Sequence, residues 1–273
     1  MDDPENSPAA QHLRDAIYHG DVTRVIQLLD VERAPLSVLN HSTVSQNTSV
    51  ELLETLVDRG YDINRPGLQN TNEHGRTLID YPGVLKKEAV VRWLVEHGAR
   101  LDRGQEEYMV VPMPAPLLET AAVYASVPTF KLLQEHGAKL GRRTLHCAVE
   151  YAAGISLDPV ADLASPMFDP KKKFGEDRKR LVEMLPFLVN ELGLDVNAVD
   201  TEKVPRPSGH YGTPLCYAAY NNGVGVVKWL LSKGADPMLG GDEALDAGLM
   251  AKAMKNEKVL KVLEEWQQSR KST

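Results

Sequence analysis

Residues 212–237 read GTPLCYAAYNNGVGVVKWLLSKGADP, and this stretch predicts two short helices joined by a tight turn. Thr213 is suited to cap the first helix with its hydroxyl, and Pro214 occupies the first helical position, where the missing N–H group breaks no hydrogen bond. Ala218 and Ala219 on the first helix are small enough for the second helix to lie close to it. Gly234 supplies the left-handed backbone turn that ends the second helix.

The stretch resembles one ankyrin repeat, in which a Thr-Pro-Leu segment opens the first helix and a Gly-Ala-Asp segment closes the unit. Similar closing segments recur at Gly98, Gly137, Gly193 and Gly234. An apolar residue stands 19 positions before three of these glycines, as Ile79, Leu118 and Leu215. The resemblance implies an all-α ankyrin-repeat solenoid of about six or seven helix-turn-helix units with short hairpin fingers.

We expect a single ankyrin-repeat domain over residues 1–273, because a stacked array enlarges its core one repeat at a time. The repeats are predicted at residues 9–30, 34–63, 75–100, 116–140, 142–197 and 209–238, with a C-terminal cap at 243–268. An insertion at 154–175 interrupts the fifth repeat. Its apolar residues, including Leu157, Leu163, Met167 and Phe168, predict that it packs on the repeats and contributes to binding.

The composition limits the classes of partner. The formal net charge of −7 argues against nucleic acid, which requires a broad basic surface. The chain begins without the basic and apolar regions of a secretory signal and has no apolar run of 18 residues, so we expect no membrane partner. These features predict a cytoplasmic or nuclear protein.

The two cysteines and eight histidines do not suggest a metal site or a cofactor. Cys147 and Cys216 fall on the first helices of separate repeats, where a free thiol usually behaves as a small buried hydrophobic residue. The histidines lack the spacing of metal ligands. We therefore expect neither a metal nor a cofactor.

Tyrosine recurs near the end of the first helix in several repeats. Tyrosine combines a large rigid ring with a hydroxyl, as found at binding hot spots. In an ankyrin-like stack these positions face the concave surface, which the fingers extend. We predict that a partner contacts Tyr18, Arg76, Tyr108, Tyr124, Glu150, Tyr151, His210, Tyr211, Tyr220 and Asn221. The structural alternative is that the rings pack on neighbouring first helices and fill gaps between irregular repeats.

His146 matches the histidine of the ankyrin Thr-Pro-Leu-His motif, which in that family usually forms a hydrogen bond to the adjacent hairpin. An alternative is acid-base catalysis by His146, Glu150 and Tyr151. His146 and Glu150 are four residues apart and can meet on one helix face, whereas neighbouring Cys147 cannot share that face.

The resemblance implies a scaffold that binds another protein through the concave tyrosine-rich face and the fingers. The alternative function is that of a small-molecule-binding protein or a non-metal enzyme of the acid-base isomerase or cyclase type. Its pocket would lie on the concave face, covered by the insertion.

Overall fold

The structure is a computed structural model that describes residues 7–67, 75–101, 115–159, 174–201, 209–239 and 246–271. The described residues form helices and connecting turns, and no β-strand occurs among them. The all-α prediction is therefore confirmed for this part of the chain. The fingers, predicted at residues 64–75, 101–116 and 195–212, are only partly within the described ranges.

Residue contacts divide the chain into two compact units. The first comprises Met1–Ala121 and Pro128–Lys139, and the second comprises Ala122–Val127 and Leu140–Thr273. We describe each unit separately, and the single domain over residues 1–273 stays a prediction.

Helices of the first unit come in pairs, and each pair falls close to one predicted repeat. They are α1 (Pro8–His19), α2 (Val22–Asp30), α3 (His41–Gln46), α4 (Val50–Val57), α5 (Pro82–Leu85) and α6 (Glu88–Glu96). Short 3-10 turns cover Leu36–Val38 and Leu78–Asp80. Helices α7 (Leu117–Tyr124) and α8 (Val127–Glu135) contain residues of both units.

The second unit continues the same alternation. It contains α9 (Thr144–Gly154), α10 (Gly175–Pro186) with a π-helical extension (Phe187–Glu191), α11 (Pro214–Tyr220), α12 (Val224–Ser232), α13 (Ala247–Ala253) and α14 (Glu257–Lys271). The last two helices fall close to the predicted C-terminal cap.

The helix contacts have the order of a stacked array. In the first unit, the first helices α1, α3 and α5 contact one another in succession, and so do the second helices α2, α4 and α6. In the second unit α9 contacts α11, α11 contacts α13, and α12 contacts α14. Contacts between equivalent helices of successive pairs are the defining feature of a repeat protein.

The predicted closing glycines all adopt the left-handed conformation. Gly98, Gly137, Gly193 and Gly234 have φ angles between 71° and 96°. In three of these turns the residue after the glycine donates its N–H to a carbonyl five residues earlier, as Ala235 does to Leu230 at 3.0 Å. The positions at which second helices end were therefore predicted correctly.

Two local predictions differ from the structure. The Thr213 hydroxyl does not cap α11 but donates to Cys216 Sγ at 3.4 Å, because the buried sulfur lies one turn further along the helix. The helix starts instead through the Thr213 carbonyl, which accepts from the N–H of Cys216. Cys216 is fully buried as expected, whereas Cys147 is only half-buried.

The start of the insertion packs against α12. Leu157 is fully buried, and its carbonyl oxygen lies 2.7 Å from where a Cβ on Gly225 would stand. Arg178 on α10 donates to the carbonyls of Ile155 and Ser156. Residues 160–173, which include Leu163, Met167 and Phe168, lie outside the described residues, so a cover over the concave face stays a prediction.

Candidate functional site

The predicted site residues fall in both compact units. Tyr18 and Arg76 lie in the first unit, and Tyr108 lies outside the described residues. The second unit contains Tyr124, His146, Glu150, Tyr151, His210, Tyr211, Tyr220 and Asn221.

The two residues of the first unit are exposed. Tyr18 is 62% exposed, and its ring stands edge-on to that of His19 at 5.4 Å. Arg76 is also exposed, and its backbone carbonyl accepts a hydrogen bond from the N–H of Gly67 at 2.8 Å. Both side chains are accessible to a partner.

Three tyrosines of the second unit form a cluster that we call the tyrosine patch: Tyr211, Tyr217 and Tyr220. The half-buried rings of Tyr211 and Tyr220 stack with centroids 4.2 Å apart and an interplanar angle of 17°. Beneath them, the fully buried ring of Tyr217 meets Tyr211 edge-on at 5.1 Å. The patch therefore joins a partly exposed stacked pair to a buried ring.

Hydrogen bonds to the segment that precedes α11 anchor the buried ring of Tyr217. The Tyr217 hydroxyl donates to Asp200 Oδ2 at 2.7 Å and lies 3.1 Å from the Gly209 carbonyl oxygen. Asp200 Oδ2 also accepts from the N–H of Gly212 at 3.2 Å. Burial and the bond to Asp200 raise the pKa of Tyr217 above its ordinary value. The hydroxyl stays protonated and holds α11 to this segment.

Arg143 borders the patch from the start of α9. Its guanidinium carbon lies 5.6 Å from the centroid of the Tyr217 ring, a favourable position for a cation over an aromatic face. The same group donates to the Gly209 carbonyl at 3.3 Å and lies 3.9 Å from Glu150 Oε2. Arg143 thus contacts the patch, the segment before it and the carboxylate of its own helix.

Glu150 places a negative charge beside the stacked pair. Burial raises the pKa of Glu150, and the positive charge of Arg143 opposes this change. The pKa of Tyr211 rises to about 12, chiefly through its hydrogen bond with Tyr220, and the negative charge of Glu150 contributes. The charge of the Glu150 carboxylate therefore acts on the hydroxyl of the stacked Tyr211 ring.

Tyr124 and Tyr151 belong to a separate network. Their ring centroids lie 5.6 Å apart, and the Tyr151 hydroxyl donates to Asp177 Oδ2 at 2.7 Å. Arg180 donates to Asp177 Oδ1 at 2.7 Å and to the Val123 carbonyl at 3.0 Å. Burial and the bond to Asp177 raise the pKa of Tyr151 above its ordinary value. This network joins the end of α7 to α9 and α10.

His146 is almost completely buried, and its Nε2 lies 3.0 Å from the Ala198 carbonyl oxygen. Its ring meets Tyr217 edge-on at 5.3 Å. Burial lowers the pKa of His146 to about 4, so the ring is neutral at pH 7 and donates from Nε2. This is the kind of contact that the resemblance implies for the motif histidine. Glu150 was predicted to meet His146 on one helix face, but among the described residues its ion pair is with Arg143.

The remaining predicted residues flank the patch along the chain. His210 is half-buried and directly precedes Tyr211. Asn221 donates from Nδ2 to the Tyr217 carbonyl at 3.0 Å, which satisfies a backbone group at the end of α11. Asn221 therefore also has a structural role.

Several residues of these networks were missed from the sequence. They are Arg143, Asp177, Arg180, Asp200 and Tyr217. The three-residue spacing of Tyr217 and Tyr220 was a usable signal, since such residues are neighbours on a helix surface. Asp177, Arg180 and Asp200 come from other segments, and no local pattern distinguishes them from surface charges.

Two of three comparisons with known proteins found similarities. The family model "Ankyrin repeat" matches residues 211–241, the segment that contains the patch, α11 and α12. Curated proteins show no match to the chain. A crystal structure of the human ASB11 ankyrin repeat domain aligns with 19% sequence identity and a TM-score of 0.49, covering 96% of this chain and 84% of that one.

Proposed function

We propose that this ankyrin-repeat protein is a protein-protein interaction module that binds its partner through the tyrosine patch and the residues around it. Ankyrin repeats generally act as modules that bind other proteins. Their fold alone does not identify the contact surface, so the argument depends on the residues of the site.

The half-exposed, stacked pair of Tyr211 and Tyr220 carries the proposal. Binding hot spots are rich in tyrosine, because the ring offers a large contact area and loses little conformational entropy. Tyr217 supports the pair from below, and its hydroxyl is fixed by Asp200. The rings are thus held in place before a partner arrives, which favours affinity.

Other predicted residues are proposed to contact the partner in different ways. The hydroxyl of Tyr151 is engaged with Asp177, so its ring, rather than its hydroxyl, is offered to a partner. The exposed side chains of Tyr18 and Arg76 are proposed as additional contacts in the first unit.

Affinity capture from the cell extract tests the proposal with Tyr220→Ala as the main variant. Removing a hot-spot ring commonly weakens binding by about 2 kcal/mol, or roughly 30-fold. We expect specific partners of the wild type, quantified by mass spectrometry, to fall by more than about tenfold with this variant.

The matched control is His97→Ala, which removes one ring of the stacked Trp93–His97 pair in the first unit. Capture by this variant should equal that of the wild type. Circular dichroism verifies that both variants remain folded. Equal recovery of partners by Tyr220→Ala and the wild type contradicts the proposal.

A further inference from the structure

We propose that the partner inserts a basic side chain, arginine or lysine, between the Glu150 carboxylate and the exposed part of the Tyr211–Tyr220 pair. This inference rests on the proposed function and specifies the chemistry of the partner at that site. Its basis is the Glu150 carboxylate near the stacked rings of Tyr211 and Tyr220. The neighbouring cation, Arg143, already contacts other groups.

The Glu150 carboxylate is accessible to a second cation. Its side chain is 40% exposed, and its ion pair with Arg143 spans 3.9 Å, beyond hydrogen-bond distance. In the described part of the chain the carboxylate accepts no hydrogen bond. A guanidinium or ammonium group from a partner would replace water at the exposed carboxylate and form charge-assisted hydrogen bonds with it.

Arg143 does not occupy this position, because its guanidinium is directed to other groups. It lies over the Tyr217 ring at 5.6 Å and donates to the Gly209 carbonyl at 3.3 Å. These contacts hold Arg143 beside the patch and leave the exposed part of Glu150 to a second cation. The positive charge of Arg143 partly offsets the negative charge of Glu150. Binding of the partner's cation therefore depends on its direct contact with the carboxylate.

The stacked rings supply a second attraction for the same group. A cation over a tyrosine face gains about 0.5–1 kcal/mol at an exposed site, and more where water is excluded. Tyr211 and Tyr220 are both half-buried, and the negative charge of Glu150 already influences the Tyr211 hydroxyl. Partial burial of Glu150 strengthens its attraction for a cation relative to a fully solvated carboxylate.

The charge of the whole chain acts in the same direction. A net charge of −7 favours the approach of a basic segment and disfavours an acidic one. Arginine suits the site best, since its planar group stacks on an aromatic ring while its donors reach a carboxylate.

Two small probes test the inference on the full chain. Nα-acetyl-L-arginine amide carries the cation, and Nα-acetyl-L-citrulline amide is its neutral counterpart of nearly the same shape. Binding is followed by nuclear magnetic resonance of tyrosine-labelled protein, with ring signals assigned from Tyr211→Phe and Tyr220→Phe. We expect the arginine probe to shift the Tyr211 and Tyr220 signals and the citrulline probe to bind at least about threefold more weakly.

Glu150→Gln separates the carboxylate from the rings. It should weaken binding of the arginine probe by about three- to tenfold, because charge is removed while shape is kept. The control Glu135→Gln removes the same charge from an exposed position on α8 and should leave binding unchanged. Equal binding of the two probes, or an unchanged affinity in Glu150→Gln, overturns the inference.

Failure of this inference is distinguishable from failure of the proposed function. If Tyr220→Ala abolishes partner capture while the arginine probe does not bind, the interaction surface stands and its preference for a cation is wrong. If the arginine probe binds through Glu150 but Tyr220→Ala retains the partner, the cation site stands and the proposed interaction surface is wrong. Preferential binding of Nα-acetyl-L-aspartate amide also overturns the inference.

Discussion

Asn197 donates a hydrogen bond from Nδ2 to the carbonyl of Gly234 at 3.2 Å, across successive repeats of the second unit. Its Oδ1 accepts from the N–H of Asp236 at 2.8 Å. In the first unit, Asn64 donates in the same way to the Gly98 carbonyl at 2.9 Å. In both units, an asparagine that precedes a repeat thus forms hydrogen bonds with the backbone of the turn that closes this repeat. The bonds link the turns at the two ends of the repeat.

Replacement of Asn197 by alanine should lower the free energy of unfolding by about 1–3 kcal/mol, because two backbone groups of the turn lose their partner. Chemical denaturation of the wild type and the variant measures the change. Asn197→Asp retains an acceptor for Asp236 but places a charged oxygen where the donor to Gly234 stood, so its loss should combine the missing donor with repulsion of the Gly234 carbonyl. A change below about 0.5 kcal/mol in the alanine variant would show that this link contributes little.

The asparagine link has a signal in the sequence. Asp62-Ile63-Asn64 recurs as Asp195-Val196-Asn197, and in both segments the aspartate side chain accepts from the asparagine N–H at 2.8 Å. The closing glycines, by contrast, were identified from the sequence, and all four have a left-handed backbone. Glycine marks a local conformational need, whereas the role of asparagine depends on a turn more than 30 residues away.

Gly225 permits close approach between α12 and the start of the insertion. A Cβ at this position would lie 2.6 Å from the Cα of Asp158 and 2.7 Å from the Leu157 carbonyl oxygen. Since both atoms belong to the backbone, Gly225→Ala must displace the insertion or the helix. We expect a loss of about 1–3 kcal/mol and faster hydrogen exchange of the Leu157 amide, which normally bonds to the Ala152 carbonyl at 2.9 Å.

Gly154→Ala is the matched control for Gly225→Ala. Gly154 is the last residue of α9, and a Cβ there would meet nothing within 4 Å. Alanine favours the helical backbone over glycine by up to about 1 kcal/mol, so this variant should be as stable as the wild type or more stable. Equal behaviour of the two alanine variants would mean that the close approach has no energetic importance.

Arg180 should contribute strongly to stability because its partners are buried. The side chains of Arg180 and Asp177 are only 11% and 10% exposed. Arg180→Ala removes this buried ion pair of Asp177 and these donors to the Val123 carbonyl, and we expect a loss of about 2–4 kcal/mol in chemical denaturation.

The control for Arg180 is the exposed ion pair of Arg92 with Glu88 on α6. Its two side chains are about half exposed, and the nitrogen-oxygen distance is 3.0 Å. Solvent screens such pairs, so Arg92→Ala should change stability by less than about 1 kcal/mol. Similar losses in both arginine variants would refute the assigned importance of burial.

The sequence analysis named two rings of the tyrosine patch but not the bonds that anchor the patch. Tyr220 was named because tyrosine recurs near the ends of first helices, and Tyr211 because it lies in a predicted finger. The anchoring bond between Tyr217 and Asp200 was not predicted, because it joins a helix to the segment before it. Likewise, Tyr151 was predicted to contact a partner, but its pairing with Asp177 depends on how α10 packs after the insertion.

His146 should make the stability of the protein depend on pH between about 4 and 6.5. Burial lowers its folded-state pKa to about 4 from an ordinary 6.5, so in this range the unfolded chain binds a proton that the folded protein excludes. The free energy of unfolding therefore falls as the pH drops through this range, by about 3 kcal/mol in total, and the full stability is present above it. His146→Asn removes the titration and offers a donor to the Ala198 carbonyl, so between pH 7 and pH 4 it should lose about 2–3 kcal/mol less than the wild type in urea denaturation. The same loss in both proteins would show that His146 is not the group responsible.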